Sequence, residues 1–129
     1  MAITLSFAGQ LNVTDSVSGT VALSKQLTNL STAGTAFSEA QTLSVGTGGT
    51  TVSLPISPTN FLYVKNLHAT NTLLVTWTPA SGTFGSAPIV TLQPGAFIAF
   101  SEPTGAAGIT ALTLTGSASA TLVEYVLGG

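Results

Sequence analysis

His68 is the only side chain in the sequence whose ordinary pKa lies near neutrality, so acid–base chemistry would have to begin there. It stands beside Asn66 and Asn71 in a short polar stretch between two apolar runs, a pattern typical of a turn. Serines are plentiful, but the Gly-x-Ser-x-Gly motif of a nucleophile elbow is absent from the sequence. We therefore interpret His68 as a solvated turn residue and predict that the protein is not an enzyme.

Residues able to hold a metal or a cofactor are few and scattered. The four carboxylates, at positions 15, 39, 102 and 124, lack the local spacing of a metal site, and there is no cysteine. The glycine-rich run Gly46–Gly49 is followed by Thr50 and Val52, whereas a phosphate-binding loop is followed by a helix. The sequence predicts neither a metal nor a cofactor.

Aromatic side chains offer a further kind of site, because a tryptophan or tyrosine ring can stack on a sugar. Trp77 and Tyr63 fall at strand positions where packing in the core is the expected role. Phe84 is isolated in the Gly- and Ser-rich stretch Pro79–Pro88, which is typical of a long surface loop. Phe84 is therefore a candidate loop contact, and the aromatic platform remains an alternative.

Charge is scarce and limits the choice of partner. Charged residues make up 5% of the 129 residues, compared with about 25% in ordinary domains, and there are two lysines and no arginine. Two cations cannot neutralise a run of phosphates or bind an anionic membrane surface. We therefore expect neither a nucleic acid nor a membrane as a partner. Because the sequence contains no signal-peptide or transmembrane pattern, we expect synthesis in the cytoplasm of the cell that produces the protein.

The chain is instead rich in small residues, with 22 Thr, 14 Ser and 14 Gly. Short hydroxyl side chains lose little rotamer entropy when another surface covers them. A surface with few charges also resists association weakly. This composition indicates a protein that packs against copies of itself or against a partner.

Alternation with a period of two dominates the hydrophobic pattern, as expected of β-strands. It predicts strands at Ile3–Phe7, Gly19–Thr28, Gln41–Val45, Thr50–Ile56, Phe61–Leu67, Leu73–Trp77, Ile89–Leu92, Ala96–Phe100, Ile109–Thr115 and Thr121–Leu127. Eight to ten short antiparallel strands separated by turn signals are typical of an all-β, single-domain β-sandwich, and we expect a jelly roll. For the second strand a short helix is the alternative, because Leu23, Leu27 and Leu30 also fit helical spacing.

Turn residues predict how the strands connect. Gly46–Gly49 and His68–Asn71 are each interpreted as the turn of a hairpin, and Ser31–Ser38 as a loop. Gln93–Ala96 has Pro second and Gly third, the pattern of a type II turn.

The N-terminal residues have two possible roles. We divide the chain into residues 1–15, an arm or first strand, and residues 16–129, the sandwich. Ile3, Leu5 and Phe7 alternate with small residues, so they could contact a neighbouring subunit as an arm or form an ordinary first strand.

Four short segments resemble small jelly-roll virion proteins of tailed bacteriophages, in particular capsid decoration (cement) proteins. They are the strand Tyr63–Leu67, the strand Leu73–Trp77, the turn and following Phe in Leu92–Phe97, and the C-terminal Glu124–Gly128. The resemblance implies a homo-oligomer, expected to be a trimer, that binds the major capsid protein and stabilises the shell. It implies a place on the capsid surface of the virion and no catalytic residues. Similar folds occur in fibres, tails and baseplates, so a carbohydrate- or receptor-binding module there is the alternative.

Overall fold

The structure is a computed structural model that describes residues 3–14, 21–34, 38, 40–80, 87–101 and 107–129, with the first two strands described by their backbone. Every regular element in these ranges is a β-strand. The described residues include no helix long and apolar enough to span a membrane.

The first two strands form a sheet of their own. Strand β1 (Ile3–Thr14) pairs antiparallel with β2 (Val21–Gly34), and irregularities in register fall between Phe7 and Gly9 and between Val13 and Thr14. The alternative of a helix in the second segment is therefore wrong. The loop predicted from Ser31 onward is also wrong as far as Gly34, because its Thr- and Ser-rich residues continue the pairing with β1. Strand β2 lies within residues 16–129, and its described backbone pairs with β1.

The remaining eight strands form two four-stranded antiparallel sheets. Sheet I has the order β3 (Gln41–Val45), β10 (Thr121–Gly128), β5 (Phe61–Asn66) and β8 (Phe97–Ser101). Sheet II has the order β4 (Thr50–Val52), β9 (Ile109–Gly116), β6 (Leu73–Pro79) and β7 (Ile89–Leu92). The predicted all-β sandwich is confirmed.

Alternating apolar positions on the two sheets form the core. The side chains that are 0% exposed include Leu62 and Val64 from sheet I and Leu73, Leu112 and Leu114 from sheet II. Alternate apolar positions of β6, β9 and β10 face the core, although Tyr125 is only partly buried. Strand β5 is buried on both faces at its start, where Phe61 and Leu62 form a continuous apolar run.

The connections differ from the predicted hairpins. Strands β3 and β4 lie in different sheets, and so do β5 and β6, so Gly46–Gly49 and His68–Asn71 carry the chain across the sandwich. We call such a connection between the two sheets an arch. An arch and a hairpin have the same sequence signal, because in both cases each flanking strand points one face to the core. The type II turn at Gln93–Ala96 is confirmed, with Gly95 at φ 76° and the Ala96 amide donating to the Gln93 carbonyl at 3.0 Å, and it too joins the two sheets.

Two glycines with nearly equal positive φ allow a matched test of the packing at the ends of the strands. A Cβ at Gly95 (φ 76°) would meet open space, whereas one at Gly108 (φ 73°) would lie 2.5 Å from the Thr59 carbonyl oxygen. We expect Gly95→Ala to lower the free energy of unfolding by about 1–2 kcal/mol through backbone strain. We expect Gly108→Ala to lower it by about 2–5 kcal/mol, because overpacking adds to the strain. Urea denaturation measures both, and equal losses would contradict the described approach of Gly108 to Thr59.

Candidate functional site

His68, the residue with which acid–base chemistry would begin, stabilises the connection between β5 and β6 in which it lies. Its Nδ1 accepts hydrogen bonds from the backbone amides of Thr70, at 3.2 Å, and Asn71, at 2.9 Å. Nδ1 must be unprotonated to accept them, so the ring fixes the path between β5 and β6. This position is the turn that the sequence predicted, although the turn is an arch.

Asn66 organises the same end of the sandwich and was missed as a key residue in the sequence. It is 0% exposed at the end of β5. Its Nδ2 donates to the carbonyls of Asn71, at 2.7 Å, and Leu92, at 3.2 Å, while its Oδ1 accepts from the His68 amide at 3.0 Å. One side chain thereby joins the β5–β6 arch to the last residue of β7. The sequence signal that could have identified Asn66 is its place at an inward-facing position, two residues after Val64.

Neighbouring polar residues extend this network across the sandwich. Asn71 Nδ2 donates to Thr121 Oγ1 at 3.1 Å, and Thr72 and Ser117 exchange two hydrogen bonds of 3.0 and 2.9 Å. Because buried polar groups are costly unless paired, the network specifies how the arches sit on the core. The printed contacts of these side chains give each of them a structural role.

Substitution of Asn66 tests this assignment. Asn66→Asp preserves the shape but replaces the two N–H donors with a carboxylate oxygen that faces the carbonyls of Asn71 and Leu92. We expect the free energy of unfolding to fall by about 3 kcal/mol or more, because the buried carboxylate keeps only the His68 amide as a donor while its second oxygen faces two carbonyl oxygens. The matched amide-to-acid change at the exposed Gln93 should cost under about 0.5 kcal/mol. Equal effects in urea denaturation would contradict the role of Asn66.

The outward side of sheet I carries an unusual group of side chains, which we call the sheet I face. Its outward positions alternate with those of the core, and its principal members are Tyr63, Lys65, Phe97, Leu122, Glu124 and Val126. Phe97 is 52% exposed and Leu122 is 40% exposed. Among the side chains that the structure describes, Lys65 and Glu124 are the only charged ones, and they are register partners on adjacent strands. The face is therefore apolar with one pair of opposite charges at its centre.

Tyr63 lies on this face and not in the core, so the expectation that it packs inside is wrong. Its ring centroid is 6.0 Å from that of Phe97, with the rings tilted by 37°. Partial burial raises the pKa of the Tyr63 hydroxyl, and the charge of Glu124 and a hydrogen bond to that carboxylate raise it further. The Tyr63 phenol is therefore held in its neutral form.

Alkaline titration of tyrosine absorbance measures this effect. The folded pKa of Tyr63 lies above the ordinary value of 10.0, so the stability that the neutral hydroxyl supports is complete below pH 10 and is lost as pH rises through the folded pKa. The difference between the titrations of the unmodified protein and Tyr63→Phe should have a midpoint above pH 10. In a Glu124→Gln background that midpoint should move toward 10 without reaching it, since burial remains. An unchanged midpoint would contradict the contact with Glu124.

Trp77 belongs to the core, as the sequence predicted. It is 8% exposed, and its ring stacks on Phe100 with centroids 5.1 Å apart. Its buried Nε1 has no hydrogen-bond partner among the described residues, and neither has the buried Oδ1 of Asn60. A ring in this position cannot offer its face to a sugar.

The outward side of sheet II differs in chemistry. It carries a set of threonines, which we call the threonine face: Thr51, Thr76, Thr78, Thr91, Thr113 and Thr115. Ile89, 64% exposed, is its most exposed large apolar residue among the described positions. The two outer surfaces of the sandwich are therefore chemically distinct.

A cavity of about 210 Å³ opens beside β3, lined by Ser38, Gln41, Ser53, Pro55, Tyr125 and Leu127. Ser38 is tied to β10, because its Oγ accepts from the Leu127 amide at 2.9 Å. These described lining residues offer hydroxyl and amide groups to a ligand, and none of them is charged. In the described ranges, no group of three or more His, Asp or Glu side chains is placed to hold a metal ion.

The residues proposed as contacts fall largely outside the described side chains. Phe84 lies outside the described residues. The backbones of Ile3, Leu5 and Phe7 lie in β1, opposite Gly34, Thr32 and Leu30 of β2 respectively. The structure describes only the backbone of these three residues.

Comparison with known proteins places the fold. No protein-family model matches the chain, and no curated protein matches it. It is similar to a solved structure from Bacillus endospore appendages, which form a family of disulfide-linked pili; the identity is 12%, the TM-score is 0.50, and the match covers 71% of this chain and 82% of that one. At this identity the similarity shows the fold alone.

Proposed function

We propose that this protein is a structural subunit that binds a bacteriophage capsid shell and stabilises it as a decoration (cement) protein. Its partners are copies of itself, as a trimer or another homo-oligomer, and the major capsid protein, and its place is the capsid surface of the virion. The resemblance of four segments to phage virion proteins supports a place on a phage particle. The all-β architecture supports a structural role.

The single observation that carries the proposal is the length of the β1–β2 hairpin. Its strands have 12 and 14 residues, whereas the longest strands of the sandwich have 8. At 3.3 Å per residue, β2 spans roughly 46 Å and a sandwich strand roughly 26 Å. A two-stranded hairpin is marginally stable alone, so it needs cover along its length. Its own sandwich is too short to supply all of it, which favours contact with a neighbouring subunit.

The sandwich supplies a rigid body for that contact. We infer that it is a jelly roll, because eight strands form two sheets and every connection except that between β6 and β7 crosses from one sheet to the other. Each copy adds a modest interface, and many copies on one lattice make the layer effectively irreversible through multivalency. Short Ser and Thr side chains reduce the entropy lost in each contact.

The pilus subunit shows that a protein of similar fold can serve in a filament. That family is disulfide-linked, whereas these 129 residues contain no cysteine. Any assembly of this chain through these residues therefore uses contacts other than disulfide bonds.

Substitution in β1 tests the role of the hairpin. The triple variant Ile3→Ser, Leu5→Ser, Phe7→Ser removes apolar area from one face of the strand, and we expect at least about a tenfold loss of binding to shells because each buried large side chain contributes about 1.5–3 kcal/mol. The melting temperature of the sandwich should change little. The matched control changes the alternate positions, with Thr4→Ser, Ser6→Thr and Ala8→Ser, and should bind normally. Equal binding by both triples in co-sedimentation would exclude Ile3, Leu5 and Phe7 as the contact.

Electron microscopy of shells tests the proposed function itself. Shells from cells that produce the chain should carry a regular outer layer of density that is absent from shells made without it. Identical shells in the two cases would overturn the capsid role.

A carbohydrate- or receptor-binding module of a fibre, tail or baseplate is the second candidate, favoured by the partly exposed Tyr63–Phe97 ring pair. The burial of Trp77 removes the strongest stacking ring from this candidate. Saturable binding on a glycan array that is lost in Phe97→Ala would support it. A blank array together with a decorated shell would support the structural role.

A further inference from the structure

On the sheet I face, residues of β5 and of β10 that are register partners form rows across the sheet. Lys65 is the register partner of Glu124, and Tyr63 is the partner of Val126. One step beyond β5, the Leu67 amide donates to the Leu122 carbonyl at 2.9 Å, which begins a third row. These three rows occupy the middle of the sheet, because β5 and β10 are its two central strands.

A two-fold rotation about an axis parallel to the strands, midway between β5 and β10, exchanges the two columns of these rows. A second copy facing the first would then place its Glu124 opposite Lys65 and its Lys65 opposite Glu124. In the next row, Leu67 would lie opposite Leu122 of the second copy. Each row is complementary to its own rotated image, as an isologous interface requires.

We propose that the sheet I face is a two-fold interface between two copies of this chain, with the axis parallel to β5 and β10. The inference rests on the proposed assembly role and names the partner surface that takes part in it. It rests on charge complementarity and on the register, and the occupant that both fit is a second copy.

The central charges determine the orientation of the two copies. An axis across the strands would place Lys65 on Lys65 and Glu124 on Glu124, and like charges brought together at an interface cost several kcal/mol. The axis along the strands replaces both repulsions with attractions. Because Lys65 and Glu124 are the only charged side chains among those described, no other described charge competes with this arrangement.

Apolar contacts supply the area around the charges. Leu122 is 40% exposed and Leu67 is 38% exposed, and the rotation brings them together. Phe97 lies beyond Lys65 in the same row, and Thr42 lies beyond Glu124. The rotation therefore sets the 52% exposed Phe97 over the small side chain of Thr42 in the second copy. Two sheets in this arrangement pack about 10 Å apart, with large side chains filling the layer between them.

The test uses full-length protein and charge reversal. Lys65→Glu gives a face with two acidic groups, and Glu124→Lys gives a face with two basic groups, so each variant repels itself at the two-fold axis. In sedimentation equilibrium we expect each variant alone to self-associate at least about tenfold more weakly than the unmodified protein. An equimolar mixture of the two should recover association to within about threefold, because acidic and basic faces then meet.

Two controls keep the result interpretable. Thr76→Glu and Thr113→Lys, on the threonine face, should leave the dissociation constant unchanged. The double reversal Lys65→Glu/Glu124→Lys in one chain should regain association, and it keeps the test valid if one single variant fails to fold in a thermal melt.

A mixture that associates no more tightly than the single variants would overturn the interface, as would an unmodified protein that remains monomeric. A decorated shell in the presence of either result would leave the capsid role standing and remove only the two-fold contact. An undecorated shell, together with a dimer that responds to the charge reversals as expected, would support the two-fold contact and overturn the capsid role.

Discussion

The structure depends on the burial of one face of each sheet against the other. Leu62 and Val64 of sheet I and Leu73, Leu112 and Leu114 of sheet II are removed completely from water. Burial of such side chains contributes about 1.5–3 kcal/mol each, which makes this layer the main source of stability. Because strands alternate, every inward side chain obliges its neighbours to point outward. The packing of the core thereby creates two outer surfaces whose residues are not fixed by the core.

Polar chemistry is used in two separate ways around that layer. At the arch end, Asn66 and His68 turn their hydrogen-bonding capacity inward and hold the chain as it crosses between sheets. On the sheet I face, Lys65 and Glu124 point outward from its two central strands. The first set gives the histidine and the asparagine at this end a structural role in holding the crossing. The second set places one pair of opposite charges on an otherwise apolar surface, and the proposed two-fold interface depends on that pair.

Much of the fold could be predicted because alternation is a local property. The inward parity of Leu73, Val75 and Trp77 and the positive φ of Gly95 each follow from a few neighbouring residues. Which strands pair does not, because an arch and a hairpin place the same residue types around the same turn. The pairings β10–β5 and β9–β6 join residues distant in sequence, so no local pattern contains them.

The surface was harder to predict than the core. Tyr63 was assigned to the core because aromatic strand residues usually pack there, yet its parity with Lys65 placed it outside. The register of Lys65 with Glu124 could not be read from two isolated charges, since it exists only after β5 and β10 pair.

An electron cryomicroscopy reconstruction of the native assembly tests the proposed contacts most directly. It should show the sheet I faces of two copies in contact about a two-fold axis along the strands and the β1–β2 hairpin against a neighbouring subunit. Separate sandwiches with solvent over the sheet I face and no intersubunit hairpin contact would contradict it.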